Sequence, residues 1–359
     1  MSTTLLPGAA MAATPGPKRI LILGGTGFLG PAIVEAARAR GHTLTLFNRG
    51  KTRPGLFPDL EKLQGDRDPL KGEGLKSLET GEWDAVIDDS GFYPRMVGAS
   101  AWLLAPRVKH YLYLSSVSAY RDPSPVGGDE SSPLAQLADP HVEDMGQHFE
   151  HYGGLKAACE AAAQAALPGR TTVIRPGFIV GPDDSSGRFT YWPVRFDQGG
   201  EVAVPGASTD PLQLIDVRDL ATWLVLLVEQ RTTGVFNALG PEQPMTWGRV
   251  IAGCQQATPS SSTVTWVPTA FMAQQRDLSL PIWVPPVGDT AGFHTWQNQR
   301  AVKAGLRFRP VEQTVADTLA WYRSQVKEAD GRTRLAFTTE QEAELLKRWR
   351  AATPGGPTG

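Results

Sequence analysis

Two cysteines in 359 residues, Cys159 and Cys254, are too few for a disulfide framework and sit in no metal-ligand spacing. Buried, inert thiols in a reducing compartment are expected, with no metal. Excess charge is also missing. Thirty-five basic residues against thirty-seven acidic ones leave a formal charge of -2, so no global field draws the chain onto nucleic acid or an anionic membrane. The longest strongly apolar stretch, Leu220 to Val228, falls well short of the roughly 18 to 20 residues of a membrane helix, and a soluble, cytoplasmic protein is expected. The first basic residue is Lys18, so the charged opening of a secretory signal is lacking before Leu5. Residues 1–17, rich in Ala, Pro, Gly and Thr, read as a disordered arm. No internal repeat is visible.

What the chain does have is 41% hydrophobic residues, enough to build one large or two modest domains. From Lys18 onward short apolar runs alternate with helix-like stretches: Arg19 to Leu23, Pro31 to Arg40, Thr43 to Phe47, Ala85 to Asp88, His110 to Leu114, Tyr152 to Ala166 and Thr171 to Ile174. That rhythm predicts crossover units and a parallel α/β sheet over residues 18–175. After Pro176 the pattern loosens and aromatic residues gather, which suggests a smaller substrate-binding lid domain over 176–204 and 241–330, with the chain returning to the first domain near 205–240. Thr339 followed by Glu342 reads as a capping box, so 331–350 is expected to carry a terminal helix and 351–359 a frayed tail.

Ile20 to Leu23 runs straight into Gly24-Gly-Thr-Gly27-Phe28-Leu29-Gly30, and a helical pattern follows. A turn without side chains lets a pyrophosphate approach amides at the positive end of a helix, so this context predicts a dinucleotide coenzyme on a Rossmann-type doubly wound sheet. At the end of the second strand, where a carboxylate would hold the ribose hydroxyls, stands Asn48, followed by Arg49 and Lys51. Two cations without an acid favour NADP, with NAD still open. Asp66 could meet the adenine amino group or serve a turn. Asp88 and Asp89 precede Ser90, Gly91 and Phe92 in a loop better suited to flanking a coenzyme than to paired-carboxylate chemistry.

His110 to Leu114 leads into Ser115-Ser116-Val-Ser118-Ala-Tyr120, and further on Tyr152 and Lys156 lie four apart, on one helix face. A phenol ionises near pH 10, so its use as an acid or base near neutrality calls for a cation close by, which an ammonium one turn away can supply. A serine at a strand end can hold the substrate oxygen.

These motifs resemble the extended branch of the short-chain dehydrogenase/reductases, the NAD-dependent epimerase/dehydratase type. The resemblance continues through Ile174-Arg-Pro176-Gly-Phe178-Ile-Val-Gly181-Pro182, Gln213 to Ala221 and Gly234 to Asn237, in family order, from Lys18 to about Arg323. Within that family the chain is similar to bacterial members labelled 2'-hydroxyisoflavone reductase-like. The resemblance implies that Tyr152 is the catalytic acid/base, that Lys156 is its activator and ribose ligand, and that Ser116, four before Tyr120, is the hydroxyl partner. It also implies Pro176 beside the coenzyme and a homodimer as the default. Two departures stand out. Met96 occupies a place where many relatives carry asparagine, and an acidic stretch including Asp129, Glu130, Asp139, Glu143 and Asp144 reads as a solvated excursion or a flap.

Phe92, Ser118, His148, Phe178, Arg188, Tyr191 and Trp192 are candidates for the substrate wall. His148 and His151 lack the pattern of a metal site. The leading expectation is an NADP-dependent oxidoreductase acting on a carbonyl or alcohol of a small, ring-containing molecule, without nucleic acid or membrane partners. An epimerase gripping a sugar nucleotide's diphosphate through Arg188 and Arg195 is the rival, and a non-catalytic, RNA-binding or regulatory coenzyme protein a third reading.

Overall fold

The computed structural model describes residues 16–325 and 334–353. In chain order the elements are β1 (Arg19–Leu23), α1 (Leu29–Ala39), β2 (Thr43–Asn48), β3 (Glu61–Gln64), β4 (Trp83–Asp88), α2 (Pro94–Leu104), β5 (Val108–Leu114), α3 (Tyr152–Ala166), β6 (Thr171–Pro176) and β7 (Phe178–Val180). There follow α4 (Tyr191–Asp197), β8 (Gly200–Pro205), β9 (Leu214–Asp216), α5 (Val217–Gln230), β10 (Gly234–Ala238), α6 (Trp247–Gln256) and β11 (Ser262–Val267). Short helices α7 (Thr269–Met272) and α8 (Gln299–Lys303) precede α9 (Val311–Ser324) and α10 (Thr339–Ala352). The expected arm, except Gly16 and Pro17, and residues 354–359 of the expected tail lie outside the described residues.

Seven strands form one parallel sheet in the order β10-β6-β5-β4-β1-β2-β3. A strand buried on both faces must be apolar throughout, which is why Ile20 to Leu23 carries no polar side chain. Alternation sorts those residues: Ile20 and Ile22 join a core with α1 and α5, while Leu21 and Leu23 join one with α2 and α3. The long apolar run at Leu220 to Val228 is the buried body of α5, packed against α1. No described helix is long and apolar enough to cross a membrane.

The strand order reverses direction between β1 and β4, and ligands of doubly wound sheets bind where it does, at the carboxyl ends of the strands. Here Leu23 pairs with Asp88 on one side and Phe47 on the other, so the glycine loop, the Asp88–Ser90 loop and the end of β2 emerge together.

A second core gathers the parallel pairs β7-β9 and β8-β11 with α4, α6, α9 and α10. It swallows much of the aromatic-rich segment. Tyr191 and Trp192 are buried to within 1% and pack edge-on, Tyr191 donates to Glu342, and the Trp192 indole donates to the Pro281 carbonyl at 2.9 Å. Both therefore sit in this core rather than on a substrate wall, which corrects the sequence expectation: α4 turns these rings inward against Trp247 and Phe337. The capping box of α10 is likewise shifted by one residue, to Thr338 and Gln341, because Glu342 points into the core to pair with Arg195.

Candidate active site

The glycine loop owes its shape to three different constraints. Gly24 and Gly25 have φ of 123° and 84°, a region that side chains rarely tolerate, and Gly25 was not singled out by the glycine frame. A Cβ on Gly30 would overlap the backbone of Gly25, so this glycine lets α1 start hard against the loop. At Gly27 a Cβ would meet no atom within 4 Å, because that position faces an open groove of about 910 Å³. A cradle with bare backbone, open space and a helix N-terminus fits a dinucleotide's pyrophosphate.

Gly24, Gly27, Phe28, Leu29, Asn48, Arg49, Lys51, Asp66 and Ser90 all border that groove, along with Phe92 and Met96. Asn48 is committed locally: its amide donates to the Gly24 carbonyl at 3.0 Å and its carbonyl accepts from Gly50 at 2.9 Å. Asp66 accepts from the amide of Asp68 at 2.9 Å, within the turn. Arg49 and Lys51 remain exposed at the rim.

The two aspartates after β4 have separated roles. Asp88 is buried and takes a bidentate pair from Arg67, at 2.5 and 2.9 Å, plus the Tyr111 hydroxyl at 2.7 Å. Burial opposes its charge, yet the neighbouring guanidinium wins and holds the carboxyl below the usual range. Asp89 faces the groove against Gly24, where desolvation and the Asp88 charge push it up to about 7. Arg67 went unnoticed in sequence because its partner lies on another strand.

Ser116 caps the turn at the end of β5 by accepting from the Ser118 amide at 3.1 Å. Tyr152 opens α3 and brings its phenol close to the Ser116 side chain. The contact depends on small residues, since a Cβ on Gly153 would overlap the Ser118 carbonyl. Burial raises the phenol's pKa, while Ser116 and the positive charge of Arg188 draw it down. Lys156, one turn on, donates to the carbonyls of Gly91 and Leu114 at 2.9 and 2.6 Å, above the Tyr113 ring, and burial pushes it down to about 8. Glu160 continues the same helix face, accepts from Ser115 at 2.5 Å and pairs with Arg175 at 2.6 Å. Pro176 is buried at the end of β6, and Gly91 is buried in the loop after β4.

No protein-family model matches the chain, but curated relatives do. The chloroplast stem-loop binding protein of 41 kDa b of Arabidopsis thaliana is 28% identical over 287 residues, 74% of this chain and 70% of its own. The epimerase family protein SDR39U1 of Bos taurus is 29% identical over 250 residues, 64% of this chain and 76% of that one. The solved structure of human SDR39U1 with NADPH superposes with a TM-score of 0.56 at 20% identity, covering 84% of this chain and 99% of that one. UDP-N-acetylglucosamine 4-epimerase from Bacillus cereus gives 0.63 at 16%, covering 86% and 98%. The chain is similar to epimerase family proteins, and it shares the fold of the NAD-binding epimerase structures.

The acidic excursion before α3 is tied down rather than free. Glu143 chelates Arg95 at 2.5 and 2.8 Å, Arg95 also holds Asp68 at 2.8 Å, and Glu130 accepts from the Asn237 amide at 2.9 Å. Asp129, Asp139 and Asp144 accept from backbone amides two residues on and shape its turns. Met96 borders the coenzyme groove from α2.

Among the remaining substrate candidates, Arg188 stacks on Phe178 with 5.4 Å from guanidinium carbon to ring centre, and Phe178 in turn meets Phe293. Phe92 is 44% exposed. Ser118 and His148 are exposed, His148 on the loop leading to α3. Arg195 is buried and bonded to Glu342 and to the carbonyls of Gly199 and Glu201, which removes it from any diphosphate site. Among the described residues no cluster of His, Cys, Asp or Glu is placed to hold a metal.

Proposed function

We propose that this protein is an NADP-dependent oxidoreductase acting on the carbonyl or alcohol of a small, ring-containing substrate. The observation that carries the reading is a glycine-lined groove whose rim bears Arg49 and Lys51 with Asn48 in place of a carboxylate, in a chain whose Tyr152 phenol lies close to Ser116. The nicotinamide supplies or accepts the hydride. Ser116 holds the substrate oxygen and Tyr152 exchanges its proton with it. Burial keeps the Tyr152 phenol protonated near neutrality, which suits donation to a nascent alkoxide, and so reduction. Lys156 carries a positive charge next to the carbonyl ends of β4 and β5, where the family places the ribose.

Among supporting facts, the human relative was solved with NADPH, and loss of Arg195 to the core leaves a diphosphate grip with Arg188 alone. An epimerase remains the second reading because several structural neighbours are named as such. The plant relative's stem-loop binding finds no counterpart in a chain of net charge -2. A cytoplasmic setting and a homodimer complete the proposal.

Fluorescence titration with NADPH and NADH tests the coenzyme, and loss of NADPH absorbance with a panel of ketones and enones tests the reaction. NADPH consumption that falls by about a hundred- to ten-thousand-fold in Tyr152→Phe, with coenzyme affinity kept, is expected. Turnover intact in that variant refutes the assignment, and substrate conversion with no net NADPH consumption promotes the epimerase.

A further inference from the structure

We infer that Arg53 is a positioning residue for the pyrophosphate cradle, holding the glycine loop from behind, and that Asp183 tethers it there; this rests on the dinucleotide reading above. Arg53 lies in the basic run after β2. Its Nε donates to the Thr26 carbonyl at 2.9 Å, one terminal nitrogen donates to the Gly27 carbonyl, and the other pairs with Asp183 Oδ2 at 2.5 Å. In a trans peptide the C=O and N–H point in opposite directions. Gripping the carbonyls of Thr26 and Gly27 therefore aims the amides of Gly27 and Phe28 the other way, and both residues border the groove. The same guanidinium adds positive potential to the loop.

The arrangement is specific to arginine. Three acceptors are served by one planar fork, which a lysine ammonium cannot reproduce in the same geometry. Asp183 comes from 130 residues away, in the segment that follows β7 and leads to Arg188, so the tether joins the coenzyme loop to the segment bearing a substrate candidate. Both partners hold left-handed backbone, with φ of 43° at Arg53 and 73° at Asp183, although neither is glycine. Their side chains are 39% and 37% exposed, and an ion pair so exposed adds little to stability. The contact's effect should appear in binding.

The test compares the wild type with Arg53→Ala, Arg53→Lys, Asp183→Asn and the double variant Arg53→Ala/Asp183→Asn, reading dissociation constants for NADPH and NADH by fluorescence together with thermal melting. Arg53→Ala is expected to weaken both coenzymes by the same factor, about tenfold, as for loss of charge-assisted hydrogen bonds that orient the cradle. Arg53→Lys should fall between, Asp183→Asn should lose less, and the double variant should lose no more than Arg53→Ala, with melting unchanged. Unaltered affinity for both coenzymes overturns the inference, as does a loss confined to NADPH, which would make Arg53 a ligand of the 2'-phosphate. A fall in affinity matched by a fall in folded fraction overturns it too. If the wild type itself binds neither coenzyme, the parent reading fails as well.

Discussion

Asp89→Asn is the substitution whose consequences the site defines most fully. Asp89 stands in the groove wall, its carboxyl against Gly24 and close to the Gly25 amide. Burial and then the Asp88 charge raise its pKa from 3.8 to about 7, with the Gly25 amide and Arg67 opposing. The native state thus binds more protons than the unfolded chain between about pH 4 and 7, so the stability tied to this group is whole below that window and lost as pH rises through it. At about 1.4 kcal/mol per tenfold change in proton affinity, the cost above pH 7 is at most about 4 kcal/mol, and groove water lowers it. Asparagine keeps the acceptor for Gly25 without the charge. Urea unfolding near pH 8.5 should show the variant more stable than the wild type by roughly 1 to 4 kcal/mol, with the gain gone near pH 4. Coenzyme affinity offers a second readout. Phosphates bound next to an ionised Asp89 favour its protonated form, so the wild-type dissociation constant should rise with pH above 7, by up to about tenfold per pH unit, and that of the variant should stay flat. Equal stability of the two proteins near pH 8.5, or an unchanged pH slope in the variant, refutes the reasoning.

Two further outcomes follow from buried charge. Arg67→Leu strands the Asp88 carboxylate without its guanidinium and should cost about 3 to 5 kcal/mol by chemical denaturation; a loss under about 1 kcal/mol would show that the pair is dispensable. Lys156→Met removes the donor to the Gly91 and Leu114 carbonyls, for an expected loss of about 1 to 3 kcal/mol. Because the folded ammonium titrates at about 8 rather than 10.5, Lys156 makes wild-type stability rise between those pH values, and comparison of pH–stability curves should find that rise missing from the variant.

The first strand, the glycine loop, the second strand and α3 were all legible in the chain as written, because each is set by residues a few positions apart. Apolar runs ending in glycine make Arg19–Leu23 a buried strand and turn, and helical periodicity alone puts Tyr152, Lys156 and Glu160 on one face. What those side chains touch was another matter. Tyr152 meets the charge of Arg188, while Lys156 turns to backbone carbonyls; Tyr191 and Trp192 face a core, not a cleft. Arg195 is spent on Glu342, 147 residues away, and Arg53 on Asp183. Local backbone geometry follows from neighbours in the chain, so sequence alone determined the sheet, the glycine turn and the order of the chemical groups. Partners come from packing between distant segments, so only the tertiary structure decided which charges are available to a ligand and which are already taken.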